Sequence, residues 1–331
     1  MNMKWIDKNL HIIPINTHID PYKPVENAII THGHADHAKP GHKNVLATKE
    51  TIEIMKIRYG ENCAESFQEL QLNQTLKIDE VSITFFPAGH ILGSVQVLAE
   101  LKGEKINFTG DYKTSKDKTC KRFEPVKCNT LVTEATFGLP VFQHPKEKLE
   151  INKLLTSLKL FPERPHIIGV YALGKAQRVL SLLRQQGYDK EIFIHGSLDK
   201  LCNYYQKNEI FLGKISKINL TNKKNFNGEI ILAPPSAIKN VWARKFEDPI
   251  ISQASGWMSI KQRAKQSLVE LPLIISDHAD WNELTDYIKY TEAENVYVTH
   301  GREDAIVHWC KQNKIQGLAL SLSGRDDENE L

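Results

Sequence analysis

The chain has 331 residues, 41% of them hydrophobic and 25% charged, which fits a globular protein and is too long for one small core. A net charge of +3 is too slight to demand a nucleic-acid partner, although it leaves room for a local basic patch. The opening MNMKWIDKNLHIIPIN has no basic segment followed by an apolar run, so no signal peptide is expected, and no apolar stretch approaches the roughly 20 residues of a membrane span.

In chain order, NAIITHGHADH predicts a buried strand, Ala28 to Ile30, that runs into a cluster of histidines. TIEIMKIRYG has helical spacing and stops at Gly60. VSITFFPAGH, KINFTGDY and NTLVTEATFG each predict an apolar strand ending in a residue able to bind metal. The middle changes character. KEKLEINKLLTSLKLF predicts a helix, and HIIGVYALGKAQRVLSLLRQQG predicts strand, glycine turn and helix. KEIFIHGSLDKLCNYYQKNE repeats that order, and the alternation argues for a parallel sheet. GEIILAPPSA predicts a buried strand closed by a proline turn. PLIISDHADW and NVYVTHGRED return to apolar strands ending in histidine, and the acidic tail GRDDENEL reads as a solvated end.

The chemistry concentrates in THGHADHAKPGH, Thr31 to His42. His32, His34, Asp36 and His37 form the pattern HxHxDH. In an extended or tightly looped chain, residues two apart point the same way, so His32 and His34 can grip one ion. Asp36 and His37, around the following bend, can reach a second. Imidazole with carboxylate suits zinc or manganese. Two coordination shells need further ligands, and strand ends supply His90, Asp111 and His300. Asp111, with two oxygens, is the natural bridge. His42 has no partner in the motif and reads as structural. Two ions roughly 3.5–4 Å apart would activate water near neutral pH and accept the oxygens of an in-line displacement. Spacing alone leaves phosphoester and acyl hydrolysis both open. The five scattered cysteines, without a CxxC pair, read as reduced cytoplasmic thiols and argue against a zinc ribbon.

THGHADH, His90, FTGDY and VTHG together resemble the metallo-β-lactamase superfamily. TEATFG and YALGKAQ are similar to the opening and a segment of the β-CASP insertion of its nucleases; SDHAD and VTHG are similar to their late histidine motifs. SGWM followed by basic residues, then SDHADW and VTHG, resembles the bacterial ligase-associated DNA exonuclease family, related to Artemis-like nucleases. The resemblance runs from about Asp20 to Arg302. It implies an α/β (α+β) fold, an αββα sandwich formed by residues 1–138 and 272–331 with an inserted β-CASP α/β cap at 139–271.

The same resemblance implies two divalent ions, zinc and/or manganese. His32, His34 and His90 would hold the first, Asp111 would bridge, and Asp36, His37 and His300 would complete the second. Asp36 also counts with the catalytic residues. Glu134 would orient His278, which would stabilise charge or protonate the leaving oxygen near the scissile phosphate. The cap would grip a strand over the metal site. Lys175 at a helix start, Arg244, Lys261 and Arg263 would meet phosphates, and Trp242 would stack on a base. The implied activity is a metal-dependent DNA exonuclease of DNA repair, cutting single strands or strand ends from a 5′ end. The implied setting is the cytoplasm, beside an ATP-dependent DNA ligase and helicase of the same repair system, with no membrane.

One residue departs from that pattern. Artemis-like DNA enzymes usually lack a histidine at the last motif, RNA-processing members carry one, and this chain has His300. An RNA-processing β-CASP ribonuclease is therefore the alternative. A metal-free binding subunit is a third reading, opposed by the intact ligand set.

Overall fold

The structure is a computed structural model that describes residues 5–219 and 226–320. The acidic tail from Gly324 lies outside the described residues. The chain divides into two compact units. One gathers the residues up to Gln143 and those from His278 onward; the other is His144–Asp277.

The first unit opens with β1 (His11–Ile12), β2 (Thr17–Ile19), β3 (Asn27–Ile29), β4 (His42–Ala47) and β5 (Ala64–Glu69), a sheet in that spatial order and parallel from β2 onward. Between β4 and β5 lies α1 (Lys49–Tyr59), the helix expected there. Its first turn is capped by Thr48, which accepts from the Thr51 N–H. It ends at Gly60, whose φ of 94° suits only a residue without a β-carbon. β6 (Thr75–Ile78), β7 (Val81–Pro87), β8 (Val95–Leu101) and β9 (Glu104–Phe108) are successive antiparallel neighbours, and β10 (Thr130–Ala135) pairs with β9 in parallel.

The second unit alternates as its sequence predicts: α2 (Glu147–Leu160), β11 (His166–Gly169), α3 (Lys175–Gln185), β12 (Ile192–Ile194), α4 (Asp199–Lys207), β13 (Ile215–Lys217), β14 (Ile230–Ala233), α5 (Pro235–Lys239), β15 (Ile250–Ala254), α6 (Lys261–Gln266) and β16 (Leu271–Leu273). All these strands are parallel, in the order β13-β12-β14-β11-β15-β16. A parallel sheet buries both faces, and every residue of β11, β12 and β14 is buried.

The chain then returns to the first unit as α7 (Trp281–Thr291), β17 (Asn295–Gly301), α8 (Glu303–Gln312) and β18 (Gln316–Ala319). β17 pairs with β10 and β18 with β17, both in parallel, completing a second sheet. Strict alternation along β7 turns Val81, Ile83 and Phe85 inward. They meet Ile12, Ile19, Ile29 and Leu46 of the first sheet in one shared core. The other face of the second sheet packs on α7 and α8 through Leu131, Val296, Leu284, Ile288 and Ile306. α1 covers the other face of the first sheet through Ile52 and Met55 against Ala28 and Val45. The layering is therefore helix, sheet, sheet, helix, and the mixed α/β class read from the sequence is the one that forms. No helix among the described residues is long and apolar enough to cross a membrane.

One expected element is shorter. The strand foreseen through PLIISDH stops at Leu273, because the Ile274 N–H turns out of the sheet to Glu150 Oε2 at 2.8 Å. His278 therefore sits in a loop leading into α7 rather than at a strand end.

The role expected of Lys175 is also corrected. Its side chain is 1% exposed, and its ammonium donates to Asp277 Oδ1 at 2.6 Å and to the Ile275 carbonyl at 3.1 Å. Buried and committed, it braces the interior of the second unit and is not presented to a phosphate. Asp277→Ala would strand that buried ammonium, so the second unit should lose about 3–5 kcal/mol of stability. Denaturant unfolding, with hydrogen exchange along α3 as local probe, checks this; a loss under about 1 kcal/mol would show the pair to be dispensable.

Candidate metal centre

β7 and β9 are both antiparallel to β8 and therefore run alike, and β10 and β17 run parallel to β9. Their C-terminal ends lie at one edge of the sheet. His90 lies three residues beyond β7 and Asp111 three beyond β9; Glu134 is the penultimate residue of β10 and His300 that of β17. The loop after β3 carries His32, His34, Asp36 and His37, and the Thr31 carbonyl accepts from the Val95 N–H at 2.9 Å, tying that loop to the same edge. Gly110 makes the close approach possible: at φ 53°, a β-carbon there would lie 2.8 Å from Thr31 Oγ1. The separate strand ends of the sequence thus become one cluster.

Asp111 stands at its centre, 3% exposed. Its Oδ2 lies 3.3 Å from His32 Nε2 and 3.7 Å from His90 Nε2. His90 Nε2 is in turn 3.0 Å from His34 Nδ1. Asp111 Oδ1 lies 3.3 Å from His37 Nε2, which is also 3.3 Å from Asp36 Oδ2. Each oxygen of one carboxylate therefore faces its own donor set: His32, His34 and His90 on one side, Asp36 and His37 on the other. Donors held about 2.0–2.1 Å from one tetrahedral ion lie roughly 3.3 Å from each other, which is the spacing seen here.

The donor chemistry fits metal as well as the spacing does. His32 Nε2 and Asp111 Oδ1 are buried with no hydrogen-bond partner, as atoms reserved for an ion would be. Burial, reinforced by neighbouring histidines, pushes His90 well below its ordinary pKa, so it stays a neutral imidazole with a lone pair to give. Burial alone would raise the Asp111 and Asp36 carboxyls. The charge of the facing histidines, His37 foremost, outweighs it and holds both well below the usual range.

The orientation of these rings comes from a residue the sequence reading did not single out. Asp20 follows β2, buried, and its Oδ2 accepts from His37 Nδ1 at 2.7 Å and from Thr31 Oγ1 at 2.6 Å. Having given its proton to Asp20, the Thr31 hydroxyl accepts from His32 Nδ1 at 3.0 Å. One carboxylate thus fixes the tautomers of His32 and His37 with both Nε2 atoms turned to Asp111. The available signal was positional: Asp20 ends a strand as the other site acids do.

His278 and Glu134 come together as expected. His278 Nδ1 lies 3.0 Å and 3.2 Å from the two Glu134 oxygens and 3.9 Å from Asp111 Oδ2. Glu134 is fixed by the Tyr112 N–H at 2.8 Å and the Thr136 hydroxyl at 2.5 Å. His300 lies beside this cluster, with its Nδ1 buried and without a hydrogen-bond partner. It is the extra residue of a bulge where β17 slips register against Glu134 and Ala135, at φ 57°. Its ring centroid is 6.3 Å from that of His37, and it joins none of the clusters whose ligand atoms converge. Asp36, His37 and Asp111 are the residues of the second set whose atoms already converge, and His300 stands beyond them on the His37 side.

The other predicted contacts belong to the second unit. Arg244 and Lys261 are exposed. Arg263 lies over the Trp257 ring at 3.9 Å. Trp242 is half-buried, its ring edge-on to His195 and Phe246, so much of its face is spent on packing.

No family model matches the chain. Among curated proteins it is 23% identical, over 99% of its length, to a probable DNA ligase of Opitutus terrae. It is 24% identical over 82% to the endoribonuclease YSH1 of Kluyveromyces lactis, and 26% identical over 66% to an RNase J-like protein of Methanocaldococcus jannaschii. The chain spans only 32%, 43% and 58% of those relatives' own lengths. Among solved structures it aligns with a protein of unknown function from Enterococcus faecalis, with a TM-score of 0.57 and 13% identity, over 82% of this chain and 74% of that one.

Asp20→Asn should weaken metal binding roughly 10–100-fold, because His37 and His32 lose the partner that orients them. Competition against a graded chelator measures this, and unchanged affinity would show that the rings are set by packing alone.

Proposed function

We propose that this chain, which belongs to the metallo-β-lactamase/β-CASP family, is a metal-dependent phosphodiesterase acting on DNA as an exonuclease. The observation that carries the reading is the split of Asp111 between two donor sets beside the His278–Glu134 pair. Divalent ions, zinc or manganese, would supply Lewis acidity there and an activated water near neutral pH.

The remaining steps belong to side chains. His32, His34 and His90 form one holding set, and Asp36 with His37 the other, around Asp111. Glu134 keeps the His278 ring in one orientation through Nδ1, and Nε2 is proposed as the atom that meets substrate. From there it protonates the leaving oxygen or stabilises its charge. Arg244, Lys261 and Arg263 of the second unit are proposed to meet phosphates, with Trp242 offering its remaining exposed face to a base.

DNA is favoured by the SGWM and SDHADW blocks and by the likeness, along nearly the whole chain, to a protein named a probable DNA ligase. By the resemblance to Artemis-like nucleases, attack on single strands from a 5′ end is also proposed, in a cytoplasmic repair setting with a ligase and a helicase; of these only the ligase link has a relative's name behind it. An RNA substrate is the second reading, favoured by His300 and by relatives named an endoribonuclease and an RNase J-like protein.

End-labelled single-stranded DNA, the matched RNA and a closed single-stranded DNA circle, each with zinc or manganese, separate these readings. Shortening of the linear DNA with the circle intact is expected. Preference for the RNA strand would establish the second reading, and cutting of the circle would remove exonuclease action. His278→Ala should lower turnover by about 10²–10⁴-fold with metal content unchanged. Loss of metal in that variant would mean that the histidine is a ligand instead.

A further inference from the structure

The two loops that carry Asp111 and His278 are joined by an ion pair that the mechanism does not use. Lys113 follows Asp111 by two residues and is buried, 5% exposed. Its ammonium donates to Glu283 Oε2 at 2.9 Å and to the His278 carbonyl at 3.3 Å. Glu283 stands in the first turn of α7 and completes the capping box with Asp280, accepting from the Asp280 N–H at 3.0 Å. Its other oxygen accepts from the Thr114 hydroxyl and the Ser115 N–H, both at 2.8 Å. A capping glutamate needs only the bond from the Asp280 N–H, so the others reach beyond capping.

The main chain makes the same junction. The Tyr112 carbonyl accepts from the Ala279 N–H at 2.7 Å, and the Lys113 N–H donates to the Ala88 carbonyl at 3.0 Å, two residues before His90. The Tyr112 N–H donates to Glu134. Tyr112 and Lys113 are thus where the segments bearing His90, Asp111, Glu134 and His278 meet. The Lys113 ammonium holds the His278 carbonyl directly from a side chain.

We propose that Lys113, clamped by Glu283, is a positioning residue that sets the backbone of His278 and so aims its imidazole at the reacting phosphate. This rests on the role given to His278 above. The clamp touches neither substrate nor any residue of the two holding sets through its side chain. Its loss should therefore leave metal and substrate binding in place and misplace the proton donor.

The test is Lys113→Met, which keeps the apolar stem and removes both bonds. Its kcat should fall about a hundredfold, the cost of a small misplacement, with KM and metal content unchanged. The Lys113→Met/His278→Ala double variant should be no slower than His278→Ala alone, because both act through one group. A purely structural lysine would instead give losses that multiply, and that result overturns the proposal. A second readout needs no turnover: the downfield Nδ1 proton of His278 on Glu134, seen by NMR, should broaden or exchange faster in Lys113→Met. An unchanged proton overturns the proposal even if the wild type cleaves neither DNA nor RNA, an outcome that would remove the proposed activity separately. Should Lys113→Met fail to fold, Glu283→Gln weakens the same clamp and is read in the same two ways.

Discussion

A carboxylate 3% exposed among imidazoles is the constraint from which the site follows. Removing an ionised group from water costs several kcal/mol unless an opposite charge faces it. Asp111 remains ionised because histidines face both of its oxygens, His37 on one and His32 on the other, and those histidines are themselves turned by further partners. His32 and His37 depend on Asp20, and His278 depends on Glu134. The fold supplies what this arrangement requires: strands running alike, whose ends bring residues 32, 90, 111, 134 and 300 to one edge of a sheet sandwich. The core between the two sheets keeps those ends rigid, so the loops can be short and the donor atoms close to their working spacing.

The donor atoms were largely legible in the sequence, because metal chemistry restricts residue type and local spacing together. HxHxDH is a local pattern, and His90 and Asp111 stand where apolar strands stop. The parts that were not legible act at a distance. Asp20 reaches His37 across 17 residues, and Glu283 reaches Lys113 across 170. No local pattern distinguishes such a residue from a helix cap or a turn acid. Glu283 is in fact also a cap, so its first role conceals its second.

Two misreadings have the same origin. A lysine after a glycine turn at a helix start looks like a phosphate binder, yet whether it reaches solvent depends on what packs over it. Here the segment Ile275–Asp277 takes its ammonium. His278 looked like the end of a strand because Leu271 to Ile275 is apolar, but the strand ends at Leu273, where the Ile274 N–H finds Glu150 instead of a sheet partner. His300 was foreseen near the site, but the bulge that aims it is set by the pairing of two strands distant in sequence.

Asp111 is proposed to lie between two metal positions. Crystals of the protein soaked in manganese and measured at that metal's absorption edge test it most directly. Two anomalous peaks are expected, roughly 3.5–4 Å apart, one on each side of the Asp111 carboxylate. A single peak, or a pair of which only one touches Asp111, would contradict it.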